Sequence, residues 1–313
     1  MKYNPETDIH FSIEDAYKIQ AAHDVLVSQI PEHRRFINPR DGQTALIKLG
    51  AQGFDITRSE IAGAVARYGG IGTISLTGGS EPECRYSNRT NDPPTKDNTC
   101  QYMDALETMY QSLILAEGGL IGQNTLVKLI DFWRNREITI RHNEFFRMHG
   151  FKRQDLPMLD FIDAAAGWER QHVRDTEAYH KGEFPIPYTF FLSDGKQLEK
   201  RLNPWSLNPL RAPAQLVYEN GSAAGHNGSL VQRDEAMQQI WDLLKNPHNY
   251  KATPKYLAAG GMGHGRHLVS AICKYYASGV QIGSRFTTSK ESSAHDYHKQ
   301  LIIDSKKKEL LRL

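Results

Sequence analysis

The stretch "YLAAGGMGHGRHLVSAICKYYASGVQIGSRF", from Tyr256 to Phe286, carries the pattern that decides the fold. A short apolar run meets a cluster of glycines, a helical pattern follows, and a second short apolar run ends in Gly-Ser-Arg. The pattern predicts a strand that ends at Ala259, a helix, and a strand that ends at Ile282. Two parallel strands joined by a helical crossover are the repeating unit of α/β proteins.

The same alternation extends through the rest of the chain. The segment "TALIKLGAQGFDITRSEIAGAVARYGGIGTISL", residues 44–76, predicts a strand that ends at Gly50, a helix opened by a Thr57–Glu60 capping box, and a second strand. Four more strands are predicted from "LIGQNTLVKL" (120–129), "MLDFIDAAAG" (158–167), "IPYTFFL" (186–192) and "AQLVYENG" (214–221). About eight strands, mostly alternating with helices and without hairpin signals, predict an α/β fold of the (β/α)8 TIM-barrel type. An open doubly wound sheet is the rival interpretation.

Two segments fall outside this alternation. Apolar residues at helical spacing over residues 12–30 predict an added N-terminal helix, and the polar residues 81–99, with Pro93 and Pro94, predict a long loop insertion. We therefore divide the chain into an N-terminal helical extension, residues 1–40, and a barrel, residues 41–313.

Composition narrows the class of protein and its partners. With 39% hydrophobic and 24% charged residues the chain resembles ordinary globular proteins, and a net charge of +2 is too small to indicate a nucleic-acid partner. We expect no membrane partner, because the N-terminus lacks a signal peptide and no apolar run reaches about 18 residues. Three cysteines lack metal-binding spacing, so we expect a cytoplasmic protein with Cys273 in its core.

Glycines follow both strands of the opening stretch. Gly260, Gly261 and Gly263 come after the first strand, and Gly283 and Ser284 come after the second. The loops after the last two strands of a β/α barrel often bind phosphate, since glycines admit the ligand to backbone N–H groups near a helix N-terminus. The plain alternative is that the glycines only form tight turns. The spacing does not match the dinucleotide fingerprint.

Several of these blocks resemble one enzyme family. The stretch 256–286, "RSEIAGAVARYGGIGTISL" (58–76), "LIGQNTLV" (120–127) and "LVYENGSAAGHNG" (216–228) are similar to segments of the nitronate monooxygenases, formerly called 2-nitropropane dioxygenases. The blocks fall in the family's order from about residue 44 to about residue 304, with a weak match over about 130–190. These enzymes use flavin mononucleotide (FMN) on a β/α barrel, so the resemblance implies an FMN-binding barrel over residues 41–313.

The resemblance implies site residues position by position. His226 matches the catalytic histidine that acts as a base or orients the nitronate. The positions that the resemblance and the loop pattern together assign to FMN are Gly50, Ala51, Asn124, Ser193, Ala224, Gly225, Gly260, Gly261, Gly263, Gly283 and Ser284. A histidine in a glycine-rich loop after a barrel strand suits proton transfer near neutral pH, although an isolated loop histidine is more often structural. The nearby His264 and His267 lack clustered partners, so we expect no metal site.

The chain departs from the family pattern at three positions. Ala51 stands where the family usually has Met after the first strand, and Phe191 precedes Ser193 where some relatives place Lys near the flavin. Trp168 follows "DAAAG" where the family has Gly-Ala-Gly, so a bulky side chain is expected at that strand end. These departures leave the redox tuning and the substrate of the site open, including a flavin-binding protein with altered chemistry.

Three functions stay open at this level. The first is an FMN-dependent monooxygenase or related oxidoreductase that oxidises a small nitronate or carbanion-like substrate with O2, with His226 handling the proton. The second is an FMN-dependent NAD(P)H reductase acting on a quinone or an enoyl thioester. The third is a barrel without catalysis that serves as a binding module. We expect a small-molecule substrate, and a homodimer is left open.

Overall fold

Eight parallel strands of the chain close into a barrel surrounded by helices. The computed structural model describes residues 13–52, 56–75, 98–126, 131–150, 158–165, 168–219, 232–245 and 254–304. The predicted (β/α)8 TIM-barrel fold is confirmed, and the rival open sheet is wrong because the first and last barrel strands pair in parallel.

The barrel strands follow one another in chain order. A two-stranded antiparallel ribbon, β1 (Phe36–Ile37) and β2 (Thr44–Ala45), precedes them. The barrel consists of β3 (Ile47–Leu49), β4 (Ile71–Ser75), β5 (Leu120–Leu126), β6 (Phe161–Ala165), β7 (Tyr188–Leu192), β8 (Gln215–Glu219), β9 (Lys255–Ala259) and β10 (Gly279–Ile282). Each strand pairs with its successor, and β10 closes the ring on β3.

Helices lie in the connections between the strands, before the first strand and after the last one. They are α1 (Ile13–Ser28), α2 (Ser59–Arg67), α3 (Asn98–Ala116), α4 (Asp131–Met148), α5 (Arg170–His180), α6 (Gly195–Leu207), α7 (Arg233–Leu244), α8 (Gly265–Cys273), α9 (Ser284–Thr287) and α10 (Asp296–Asp304). Among the described residues, 3-10 turns lie at Glu32–Arg34 and Pro209–Arg211. No helix in the described part of the chain is long and apolar enough to cross a membrane.

Two apolar layers hold the barrel together. The strand register brings Phe161, Val217 and Leu257 to its inside, where they form a compact inner cluster with Ile71. A larger cluster fills the space between the barrel wall and the helices. Because side chains alternate along a strand, each strand contributes residues to both layers. The polar residues at the end of a strand are directed toward the mouth of the barrel.

The N-terminal segment packs against the bottom of this assembly. Helix α1 contacts α8, and Ile30 is buried in a small cluster with Leu46 and Ile272. The predicted N-terminal helix therefore exists. The division of the chain at residue 40 stays a prediction.

Three local predictions fail for identifiable reasons. The first predicted strand, 44–49, is split, because Thr44–Ala45 pairs backward with β1 and only Ile47–Leu49 enters the barrel. The N-cap of α2 is Arg58, since the Thr57 hydroxyl bonds the backbone N–H and carbonyl of Gln52 instead of capping the helix. Cys273 is exposed on α8, on the face of that helix turned away from the core.

Candidate functional site

A cleft of about 330 Å³ opens where the carboxyl ends of β3, β8, β9 and β10 meet. In β/α barrels this end of the strands carries the functional loops, and small-molecule sites have volumes of about 300–1,000 Å³. The cleft brings together predicted site residues from three separate loops, namely Gly50, Ala51, Gly260, Gly261, Gly263, Gly283 and Ser284. The order of the strands explains this meeting, because closure of the barrel makes β3 the neighbour of β10.

The turn after β9 depends on its glycines. Gly260 and Gly261 have φ of +82° and +69°, in the left-handed region that side chains other than glycine rarely adopt. A Cβ atom added to Gly261 would meet no other atom within 4 Å. The backbone of Gly261 therefore borders open space in the cleft, where a ligand could approach it closely.

The loops after β3 and β10 are tied to each other. The Gly50 N–H donates to the carbonyl of Ile282 at 2.8 Å, and the Thr287 hydroxyl on α9 bonds the Gln52 side-chain oxygen. Gly283 forms the N-cap of α9, and a Cβ there would lie 3.4 Å from Gln52 Nε2. These contacts fix one wall of the cleft through backbone and amide groups, without a charged side chain.

Basic side chains line the cleft beyond the glycines. His264 caps α8 by accepting the Arg266 N–H at its Nδ1, and its ring lies 5.8 Å from that of His267. Desolvation, with Arg233, Arg266 and His264 nearby, lowers the pKa of His267 and favours its neutral form. Arg285 also lines the cleft. A ligand with a negative charge suits this wall. The described residues include no cluster of side chains that could hold a metal ion.

An ion pair lies inside the barrel, close to the floor of the cleft. Lys48 of β3 donates to both carboxylate oxygens of Asp163 on β6 at 2.6 Å, and the two side chains are 0% and 1% exposed. The Lys48 ammonium also lies 4.5 Å from the ring centre of Phe161 and 5.8 Å from that of Phe191. Burial lowers the pKa of Lys48, and the Asp163 carboxylate opposes that change.

Glu219 is an acidic residue in the lining of the cleft. It ends β8, and its Oε1 accepts a hydrogen bond from Gln281 Nε2 at 3.2 Å. Burial raises the pKa of Glu219 to about 7, the charge of Asp163 adds to the rise, and Lys48 and Gln281 oppose it. The carboxyl can therefore exist in both protonation states near neutral pH.

The sequence analysis missed Lys48, Asp163 and Glu219. Each is a charged residue within an apolar predicted strand, at "ALIKLG", "FIDAAA" and "LVYENG". Buried charges of this kind require a partner, so their presence on strands could have identified the cluster.

Other predicted site residues lie elsewhere. Asn124 is buried on β5 beside Asp163 in the strand register, and the Ser193 N–H donates to Gln197 Oε1 after β7. Neither Asn124 nor Ser193 lines the cleft. His226, Ala224 and Gly225 lie in 220–231, outside the described residues.

The three departures from the family pattern have separate places in the structure. Ala51 lines the cleft. Trp168 stacks on His172 and contacts Phe190, in the layer between the barrel and its helices. The Trp168 ring is therefore directed to the outer layer and does not line the cleft. Phe191 points into the barrel toward Lys48.

Comparisons with known proteins agree with the geometry of the barrel mouth. Residues 207–311 match the family model described as nitronate monooxygenase. A probable nitronate monooxygenase of Bacillus subtilis is 35% identical over 91 residues, which cover 29% of this chain and 26% of that protein. One from Staphylococcus aureus is 30% identical over 92 residues, with the same coverage of 29% and 26%. The matched part is thus about a quarter of the length of these relatives.

Solved structures share the fold over a larger part of the chain. FabK from Thermotoga maritima superposes with a TM-score of 0.55 at 17% identity, over 83% of this chain and 65% of FabK. Nitroalkane oxidase from Streptomyces ansochromogenes superposes with a TM-score of 0.50 at 12% identity, over 82% of this chain and 70% of the oxidase. At such identities these likenesses support the barrel fold alone. The match over 207–311 covers the predicted loop with His226 and the two glycine-rich strand ends.

Proposed function

We propose that this chain, a relative of the nitronate monooxygenases by its match over residues 207–311, is an FMN-dependent oxidoreductase. It would oxidise a small nitronate or carbanion-like substrate with O2. The observation that carries the proposal is the meeting, in one cleft, of the glycine-rich ends of β9 and β10 with the loop after β3. This arrangement occurs at the end of the barrel where phosphate groups are often held.

The residues of the cleft fit a flavin phosphate. The open space beside Gly261 allows close approach of an anion to the backbone, and Gly283 presents no side chain at the opposite strand end. Arg285 and the N-terminus of α8 add positive potential to the same cleft. A phosphate would thus contact backbone N–H groups and a cation. The residues that the two glycine-rich loops contribute to the cleft include no carboxylate.

The remainder of the flavin would extend toward the barrel axis. Ala51, Glu219 and Gln281 line that side of the cleft, and the Lys48–Asp163 pair lies in the barrel interior. Small side chains such as Ala51 leave room for a planar ring, and Gln281 offers an amide for hydrogen bonding. When bound, the flavin would supply the electron-transfer chemistry, while the protein supplies position and polarity.

The proton of the substrate would be handled by His226 in this proposal. The family resemblance of "SAAGHNG" supports the role, and a histidine titrates in the range that proton transfer near neutral pH requires. We expect His226→Ala to retain FMN and to lose turnover by on the order of 10²–10⁴-fold, the usual contribution of a positioned acid or base. Stopped-flow and O2-consumption assays with a nitronate measure this loss. Unchanged turnover would remove His226 from the mechanism.

The test of the function compares two reactions of the FMN-loaded protein. Oxidation of a small alkyl nitronate with O2 consumption supports the proposal. Rapid bleaching of the flavin bands by NADH or NADPH without oxygen, together with inactivity toward nitronates, would favour the reductase instead. A protein that remains colourless after incubation with FMN would contradict both and leave the binding module.

A further inference from the structure

We propose that Glu219 is a second proton-handling group of the cleft, whose protonation is controlled by the buried Lys48–Asp163 ion pair. The titration of Glu219 is proposed for the apoprotein and does not depend on the proposed function. Its use during turnover rests on the proposed function.

The first support is position. Glu219 is the last residue of β8 and lines the cleft, so it borders the space that a ligand would enter. Gln281, on β10, holds Oε1 of Glu219 from the side. In the strand register Gln281 lies beside Lys48, so β3, β8 and β10 place these three side chains in one patch of the barrel interior.

The second support is the charge of the surroundings. The contact of Lys48 with both oxygens of Asp163 makes the pair neutral as a unit, whichever partner holds the proton. Glu219 therefore carries the one charge of the cluster that has no opposite charge in contact with it among the described residues. Because desolvation of the carboxylate outweighs the favourable effects of Lys48 and Gln281, binding a proton relieves part of its cost.

The third support is the inventory of groups around Glu219. Lys48 faces it from β3, Asp163 from β6 and Gln281 from β10, and its register neighbour on β9 is the uncharged Ala259. The cleft lining also contains His264, His267 and Arg285. Desolvation is the largest cause that raises the pKa of Glu219 to about 7, and Asp163 adds to it.

This environment has a consequence for ligand binding. A negatively charged ligand in the cleft would disfavour the ionised carboxylate further, so a proton from solvent would move onto a Glu219 oxygen as the ligand binds. Release of the ligand returns the proton to water. The total charge of the site would therefore be nearly the same with and without the bound anionic ligand.

The experiment is a carboxyl titration of the apoprotein by ¹³C NMR with glutamate labelled at Cδ. The Glu219 resonance is assigned by its absence from Glu219→Gln. We expect a midpoint near pH 7, well separated from exposed glutamates near 4.3. Asp163→Asn should lower the midpoint by a pH unit or more, since it removes a negative neighbour and leaves Lys48 unpaired. Gln281→Leu should raise it, because the hydrogen bond to the carboxylate is lost.

A fourth variant keeps the test possible if the single substitutions prevent folding. Lys48→Met with Asp163→Leu removes both charges together, a replacement that buried ion pairs often tolerate. Its Glu219 midpoint should fall between those of wild type and Asp163→Asn. A Glu219 midpoint near 4.3 in the wild type, or one that none of these substitutions moves, would overturn the proposal.

The outcome separates this inference from the proposed function. The titration uses no flavin, so it can succeed in a protein that does not bind FMN. Conversely, an FMN-loaded protein active on nitronates with an ordinary Glu219 would contradict this inference alone. In the loaded enzyme, Glu219→Gln should remove from the pH profile of kcat an ionisation that lies above the apoprotein midpoint, whereas a merely structural role would lower kcat equally at all pH values.

Discussion

Two buried polar clusters lie on opposite sides of the barrel wall. The inner cluster is Lys48, Asp163, Glu219 and Gln281, at the mouth of the barrel. The outer cluster is Arg136, His172, Asp175, Tyr188 and the adjoining Trp168, between β7 and helices α4 and α5. Both contain an ion pair and a titratable group with a shifted pKa.

The clusters differ in what surrounds their charges. In the outer cluster Asp175 accepts hydrogen bonds from Arg136, from the Tyr188 hydroxyl at 3.0 Å and from Gln171 at 2.7 Å. Aromatic rings enclose His172, which is fully buried. In the inner cluster Glu219 faces a cleft. Buried charge is thus common to both regions, and access to a ligand distinguishes the candidate site from a structural network.

The largest expected effect is the loss of the inner ion pair. We expect Lys48→Met to destabilise the protein by about 3–5 kcal/mol, because Asp163 is left buried without its partner. Arg136→Met in the outer cluster should cost less, since Asp175 keeps its bonds to Tyr188 and Gln171. Urea unfolding of both variants measures the difference in the free energy of unfolding. An equal or larger loss of unfolding free energy for Arg136→Met would contradict the expected difference between the two clusters.

The next effect is a pH dependence of stability from His172. Burial lowers the pKa of His172 from 6.5 to about 4, so the unfolded chain binds more protons between these values. This contribution to stability is complete above pH 6.5 and is lost as pH falls toward 4. His172→Phe, which keeps a ring against Trp168, should flatten this part of the curve by up to about 3 kcal/mol. Urea unfolding from pH 4 to 7 tests it, and parallel curves for variant and wild type would contradict it.

Glu219 should give an effect of opposite sign. Its pKa is raised from 4.5 to about 7, so the folded state binds more protons in that window and stability falls as pH rises through it. Glu219→Gln keeps an acceptor for Gln281 and should be more stable than wild type at pH 8, by about 1–3 kcal/mol, with little difference at pH 4.5. The same unfolding series measures both residues. A stability difference between Glu219→Gln and wild type that is the same at all pH values would show that Glu219 does not titrate in this range.

Sequence patterns predicted the barrel because each strand contains a short apolar run, and these runs alternate with helical patterns along the chain. Each of the eight barrel strands falls within or beside a predicted apolar run, since burial on both faces demands continuous hydrophobic residues. The pattern could not reveal that Thr44–Ala45 turns back to pair with Phe36–Ile37, because local alternation does not specify the partner strand.

The candidate site was partly predictable for a similar reason. The glycines after β9 and β10 are local signals, and barrel topology brings such strand ends together. The bond between Gln52 and Thr287 joins residues 235 positions apart, and nothing local in the sequence marks it. Lys48 and Asp163 are 115 positions apart on strands that are not neighbours in the barrel, so no local pattern in the sequence links them.

In the proposed function, the glycine-lined cleft holds the phosphate of FMN. The most direct measurement is a fluorescence titration of the apoprotein with FMN and with riboflavin, which lacks the phosphate, in the wild type, Gly283→Val and Gly265→Val. Gly265 is the control, since a Cβ there meets nothing within 4 Å and the residue does not line the cleft, whereas Gly283 lines the cleft and a Cβ there lies 3.4 Å from Gln52 Nε2. We predict that the wild type and Gly265→Val bind FMN at least about tenfold more tightly than riboflavin, a difference of about 1.4 kcal/mol or more, and that Gly283→Val loses this preference. Equal affinities for FMN and riboflavin in the wild type, or an unchanged preference in Gly283→Val, would contradict the account.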